Sequence, residues 1–277
     1  MEKLKINYHL TQICNFGCKF CFAKYEKEHL DFEGQKKVIK NIAESGLFDS
    51  INFAGGEPLL IKELPSLIEY AAKLGLKVSL ITNGYLLTDE LLKVIIPNLV
   101  MIGISVHSFN ETTKLKIGSC TKDGRTLSNE RLDKICFSIN KMNEDGLSNC
   151  KIKINTVCCE PNISENLNTG IENLKNVQRW KILRCQEFGT NQSMLVSNEE
   201  FNFFKKINSN SKLNQVFEND MKDTYIMVNP AGILIKESSD GLSYKNIGSV
   251  LDEPLQVLMN KYELKLDIYK ERYLNGF

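Results

Sequence analysis

No stretch of about 18 uncharged apolar residues occurs in this chain, so no transmembrane helix is expected. Its longest apolar runs, such as Val94-Ile95-Ile96 and Leu99-Val100-Met101-Ile102, have the size of core elements. The opening residues MEKLKINYHL are charged and carry no apolar run, so neither a signal peptide nor a membrane anchor is expected. A charge excess is missing too: 35 Lys and Arg face 34 Asp and Glu, a net charge of +1. Broad nucleic-acid binding needs a basic surplus and is excluded, whereas a small anion needs only a few local cations. Without an export signal, nine cysteines read as thiols kept reduced for metal or catalysis in a cytoplasmic setting. Repeats and low-complexity tracts are absent as well. What remains is an ordinary globular composition, 42% apolar and 25% charged over 277 residues. That length holds one large α/β domain or two small ones.

Short β-rich runs alternate with helical patterns over the first two thirds. Strands are expected at 6–11, 50–53, 77–82, 99–106, 151–157 and 178–183, and helices at 33–45, 64–74, 89–96, 130–143 and 165–174. Residues 118–129 are polar and glycine-containing and read as a mobile loop. The alternation implies a parallel sheet with right-handed crossovers. Six units make a partial (β/α)6 TIM-like barrel, with ligands bound at the C-terminal strand ends. From about residue 197 the pattern changes to a helix at 198–206, a hairpin from 222–228 to 232–236, and a helical end. The expected division is therefore a barrel over 1–196 and a capping extension over 197–277.

Cys14-x3-Cys18-x2-Cys21 follows the first strand. Three thiolates in one short loop reach three corners of a [4Fe–4S] cubane and leave the fourth iron open. A structural zinc site wants four closed ligands, and no fourth Cys or well-spaced His pair follows. The competing reading is three buried free thiols. A Gly55-Gly56-Glu57-Pro58 turn ends the second strand, where glycines admit a close backbone approach. Lys151 and Lys153 alternate on one strand, and Arg179 and Lys181 on the next, so two neighbouring strands send cations to one face. If that face points inward it calls for an anion such as phosphate, with Trp180 on the other side. If it points to solvent the cations are merely solubilising.

The segment CNFGCKFCF and the GGEP turn resemble the two signature motifs of the radical S-adenosylmethionine (SAM) superfamily. The resemblance implies a cluster on Cys14, Cys18 and Cys21 with Phe22 beside it. It also implies SAM bound through Gly55, Gly56, Glu57, Thr82, Asn83 and Ser105, and cleaved to a 5′-deoxyadenosyl radical. Further blocks, INYHLTQICNFGCKFCF, SINFAGGEPLL, ISVHSF, KIKINTV, VQRWKILRC and MKDTYIMV, are similar in order to the viperin family over most of the chain. That family dehydrates nucleoside triphosphates to 3′-deoxy-3′,4′-didehydro products that terminate viral RNA chains. The resemblance implies a triphosphate clamp of Lys153, Arg179 and Lys181, with Lys151 on the same face. It places Asn7, Asn52 and Asn155 near the nucleotide, and Tyr225 where it can return a hydrogen or an electron.

Departures from the family pattern are specific. A phosphate-binding lysine is replaced by Ser50, a serine by Ala54, and an aspartate of vertebrate members by His107. The family's Gly-Arg-Gly reads Gly118-Ser119-Cys120, leaving Arg125 as the candidate for the SAM carboxylate. The vertebrate amphipathic helix and C-terminal tryptophan are missing. The resemblance therefore implies a membrane-free, monomeric enzyme acting on CTP, UTP or GTP. A flavodoxin- or ferredoxin-type electron donor and the iron–sulfur assembly machinery are its implied partners. Two readings stay open beside it. A peptide maturase or molybdenum-cofactor-type cyclase usually carries extra C-terminal cysteines, yet none follows Cys185 and the remaining six lack CxxC spacing. A non-catalytic iron–sulfur protein would leave the strand-end motifs unexplained.

Overall fold

The structure, a computed structural model, describes residues 3–23, 29–187, 192–210, 212–219, 225–238 and 243–274. In chain order its elements are β1 (Leu4–His9), α1 (Phe32–Glu44), β2 (Phe48–Ala54), α2 (Leu64–Lys73), β3 (Lys77–Thr82) and α3 (Asp89–Ile95). Next come β4 (Met101–Ser105), α4 (Glu111–Ile117), α5 (Asn129–Glu144), β5 (Lys151–Cys158), α6 (Asn168–Asn173), β6 (Val177–Arg184), α7 (Asn198–Ile207) and β7 (Gln215–Glu218). The chain closes with β8 (Met227–Val228), β9 (Ile233–Glu237), β10 (Tyr244–Ser249), α8 (Leu255–Tyr262) and α9 (Leu266–Leu274). No described helix is long and apolar enough to cross a membrane.

Two compact units emerge: Met1–Ile13 with Ala23–Leu80 and Met221–Phe277, and Cys14–Phe22 with Ile81–Asp220. In the first, the strands run β10-β9-β8-β1-β2-β3. The pairs β8–β1, β1–β2 and β2–β3 are parallel; β8–β9 and β9–β10 are antiparallel. In the second the order is β4-β5-β6-β7, all parallel. Neither run of strands closes on itself.

Strand residues alternate between faces, and burial follows the alternation. On β5, Ile152, Ile154, Thr156 and Cys158 are buried, while Lys151, Lys153, Asn155 and Val157 keep some exposure. Trp180 belongs to the buried face, fully covered, with its indole N–H donating to Thr156 Oγ1 at 2.9 Å. In the first unit Ile6, Tyr8, Ile51, Phe53, Val78 and Leu80 fill the equivalent layer together with Val38, Ile39, Leu67 and Ile68 of the helices. Each such side chain contributes roughly 1.5–3 kcal/mol.

The expected strands and helices are present, with ends shifted by a few residues. The helix expected at 165–174 shortens to α6, and Asn166 Oδ1 accepts Asn168 N–H in the turn before it. Sequence reasoning missed α4, whose two Thr weaken its helical pattern. Its boundaries were nonetheless signalled: Asn110 caps Thr112 and Thr113, and Gly118 closes it at φ 82°. The short strands β7 and β10 were missed as well. The expected hairpin exists as β8–β9, but β8 also pairs with β1, so the C-terminal segment extends the first unit's sheet. Residues 222–224 of that expectation lie outside the described residues.

Burial holds the imidazoles of His9 and His107 down at about 4, far below the ordinary 6.5. The unfolded chain therefore takes up protons below pH 6.5 that the folded chain refuses, so stability is full above pH 6.5 and falls toward pH 4. Urea unfolding at pH 7.5 and pH 5 is expected to differ by about 2 kcal/mol per histidine. His107→Gln should flatten the dependence.

Candidate active site

The cysteine loop has no helix or strand of its own, so its backbone is satisfied elsewhere. Gly17 N–H donates to the carbonyls of Gly118 and Cys120 at 3.1 and 3.2 Å, and Lys19 N–H to Ile117 at 2.9 Å. The end of α4 thus carries the loop. Gly118 is required there twice over. It sits at φ 82°, and an added Cβ would lie 2.4 Å from Gly17 O. The third strand grips the same loop, since Asn83 Nδ2 donates to Asn15 Oδ1 at 2.8 Å and lies 4.0 Å from Cys14 Sγ. Phe16 packs on Tyr85 at 5.5 Å, and Phe20 meets the edge of His107 at 4.7 Å. His107 Nδ1 accepts Val157 N–H, so its neutral ring is fixed in place.

Cys14 is exposed, and Cys18 and Cys21 are half-buried. Burial raises the Cys18 thiol, and the neighbouring Cys21 and Cys14 sulfurs push it further. Thiols that disfavour one another's ionisation suit a cationic cluster that neutralises all three. Among the described residues no three His, Cys, Asp or Glu side chains gather around a single-ion centre. A cubane, held at separate corners, asks for no such gathering. The donor set fits the group.

In the same unit the registers line up polar residues in layers. Gly103, Lys153 and Arg179 form one; Ser105, Asn155 and Lys181 form the next. Arg179 and Lys181 are only 7% and 5% exposed, which removes the reading of solubilising surface cations. Lys151, at the start of β5, is exposed and lies a layer away, opposite Met101. Thr82 is buried and its Oγ1 accepts Gly84 N–H, so it shapes the turn that carries Asn83. Arg125 pairs with Asp123 at 2.7 Å with both side chains largely in solvent. Taking up a ligand carboxylate would require that pair to open. Phe22 is half-buried.

The first unit holds the remaining candidates. Gly56 N–H donates to Thr11 O at 2.6 Å and Glu57 N–H to Ile13 O at 2.8 Å. A Cβ on Gly55 would stand 2.4 Å from Thr11 O, and one on Gly56 2.2 Å from Ile13 O. Both glycines therefore admit the chain's own segment just before Cys14. Glu57 is fully buried, with Oε1 accepting Leu59 N–H at 3.1 Å. Asn7, Asn52 and Ser79 occupy one register across three parallel strands. Ser79 Oγ donates to Asn52 Oδ1 at 2.9 Å, Asn52 Nδ2 to Asn7 Oδ1 at 3.0 Å, and Asn7 Nδ2 to Ile226 O at 3.2 Å. Sequence reasoning missed Ser79, although its alternation with Lys77 and Ile81 marks the face. Tyr225 is half-buried, two residues before β8, and its carbonyl accepts the Tyr262 hydroxyl at 2.6 Å.

Comparison with known proteins adds an independent line. Residues 8–158 match the family model described as the Radical SAM superfamily. An S-adenosylmethionine-dependent nucleotide dehydratase of Selenomonas ruminantium is 35% identical over 97% of this chain and 98% of its own length. One of Flammeovirga pacifica is 32% identical over 87% of this chain and 85% of its own. Streptococcus suis SuiB bound to S-adenosylmethionine is similar in fold, with a TM-score of 0.67 at 14% identity over 98% of this chain and 67% of that one. So is anSMEcpe with bound AdoMet and Kp18Cys peptide, at 0.68 and 15% over 96% and 84%.

Gly118→Ala tests the support of the cysteine loop. A non-glycine residue in the left-handed region is strained by about 1 kcal/mol, and the contact with Gly17 adds to that. The expected outcome is iron and sulfide per chain well below wild type after anaerobic reconstitution, with far-ultraviolet circular dichroism retained. Unchanged loading would mean that α4 does not hold the loop.

Proposed function

The chain belongs to the radical SAM superfamily and, within it, to the S-adenosylmethionine-dependent nucleotide dehydratases, the viperin family, and we propose that it removes water from the ribose of a nucleoside triphosphate. The observation that carries this reading is the layered set of Lys153, Asn155, Arg179 and Lys181, of which Arg179 and Lys181 are buried. Three cations on one face of two neighbouring strands make a setting that suits a polyanion. Arg179 offers a planar fork and the lysines point charges, the mixture that suits successive phosphates.

Cys14, Cys18 and Cys21 would hold the [4Fe–4S] cluster, and Phe22 follows the last of them in the same loop. When bound, the cluster and SAM supply a 5′-deoxyadenosyl radical that takes the C4′ hydrogen of the sugar. Glu57, buried just after β2, would accept from the methionine ammonium, and Ser105, Thr82 and Asn83 would supply further SAM contacts. Asn7 and Asn52 orient the nucleoside, and their hydrogen-bonded ladder fixes their amides before the substrate arrives. After hydrogen loss from C4′ the C3′–O bond breaks. The leaving hydroxide takes a proton and departs as water, and one electron completes the C3′–C4′ double bond. A phenol supplies both proton and electron, and Tyr225 fills that role. Lys151 and Arg125 stay at the edge of the site. A flavodoxin- or ferredoxin-type protein donates the electron that starts turnover, after the iron–sulfur assembly machinery has loaded the cluster. The enzyme works as a cytoplasmic monomer.

Anaerobic turnover with SAM, a reductant and CTP, UTP, GTP or ATP in turn tests the reaction and names the base. One nucleotide is expected to yield a product lighter by one water in step with 5′-deoxyadenosine; deoxyadenosine indifferent to all four would refute the substrate class. Lys181→Ala and Arg179→Ala should each weaken triphosphate binding by tenfold or more, on the order of 1.5–3 kcal/mol for a charged hydrogen bond, while iron content stays at wild type. Unchanged affinity would remove the clamp.

A further inference from the structure

Lys181 already has an anion beside it. Glu218, on the added strand β7, places Oε1 2.5 Å from Lys181 Nζ, with the two side chains only 6% and 9% exposed. The contact is an ion pair by distance. Register explains the reach: Lys181 is opposite Val216 and Leu183 opposite Glu218, so the carboxylate leans from the layer above onto the ammonium below. A buried pair of this kind is dear to assemble, and removing one partner leaves an uncompensated charge. Here Lys181 stands one layer from Lys153 and Arg179 on the proposed phosphate face, and the carboxylate offsets the charge that Lys181 presents.

We propose that Glu218 is a specificity-determining residue, an internal competitor for Lys181 that a nucleotide's phosphates must outmatch, so that triphosphates are selected over monophosphates. The inference rests on the phosphate-clamp reading of Lys181. A monophosphate that approaches Lys181 meets the carboxylate's repulsion with few other cations in reach. A triphosphate reaches Lys153, Arg179 and Lys181 together, and the additional attractions offset that repulsion. Selection of this form needs a repelling group as well as attracting ones.

Equilibrium binding of nucleoside mono-, di- and triphosphates to the reconstituted full-length protein tests this, with wild type, Glu218→Gln, Glu218→Asp and Lys181→Ala compared. Glu218→Gln keeps the shape and removes the charge. Monophosphate affinity should rise on the order of tenfold, triphosphate affinity rise less, and the ratio between them narrow accordingly. Glu218→Asp withdraws the carboxylate by one methylene and should move the ratio part of the way in the same direction, so either variant decides the matter. An unchanged ratio in a folded variant, or weaker binding of every nucleotide, overturns the proposal. If Lys181→Ala leaves triphosphate affinity intact, it is the clamp itself that fails.

Discussion

The loop that carries Cys14, Cys18 and Cys21 has no helix or strand of its own, so it cannot draw stiffness from a regular hydrogen-bond ladder. Its rigidity is borrowed. Gly17 and Lys19 give their N–H groups to carbonyls at 117–120, and Asn83 ties the loop to the end of β3. These bonds depend in turn on α4 ending where it does, with Gly118 turning left-handed against Gly17. The segment just before Cys14 is fastened by the same means, through the N–H groups of Gly56 and Glu57. The glycines of the GGEP turn are thus accounted for by chain-to-chain contact, and Glu57 emerges from them buried and fixed.

Much of this was legible in the sequence, and the limits have physical causes. Strand–helix alternation reveals a parallel α/β fold because period-2 and period-3.6 patterns survive wherever one face is buried. It fails for α4, a helix of seven residues, and for β7 and β10, whose residues are only half-buried or exposed and carry no clear pattern. The inward direction of Arg179 and Lys181 was legible as one of two faces, and burial decided between them. Glu218 was not legible at all. It lies 37 positions beyond Lys181 in a four-residue strand, and only the β6–β7 pairing brings the two together. Arg125 shows the reverse: proximity along the chain suggested a ligand contact, whereas the side chain is occupied by Asp123 in solvent.

The two units organise their polar residues differently. In the first unit a neutral ladder of Ser79, Asn52 and Asn7 passes hydrogen bonds from strand to strand, so its members are oriented without any ligand. In the second unit charge is concentrated instead, with one carboxylate set against three cations. A neutral ladder suits uncharged ligand groups, and concentrated charge suits an anion.

The central claim is hydrogen removal from C4′ of a nucleotide, and isotope transfer tests it most directly. With the preferred triphosphate carrying deuterium at C4′, the account predicts one deuterium in the 5′-deoxyadenosine formed and a nucleotide product lighter by the label and one hydroxyl. Deoxyadenosine free of deuterium, formed alongside consumption of that nucleotide, would contradict it.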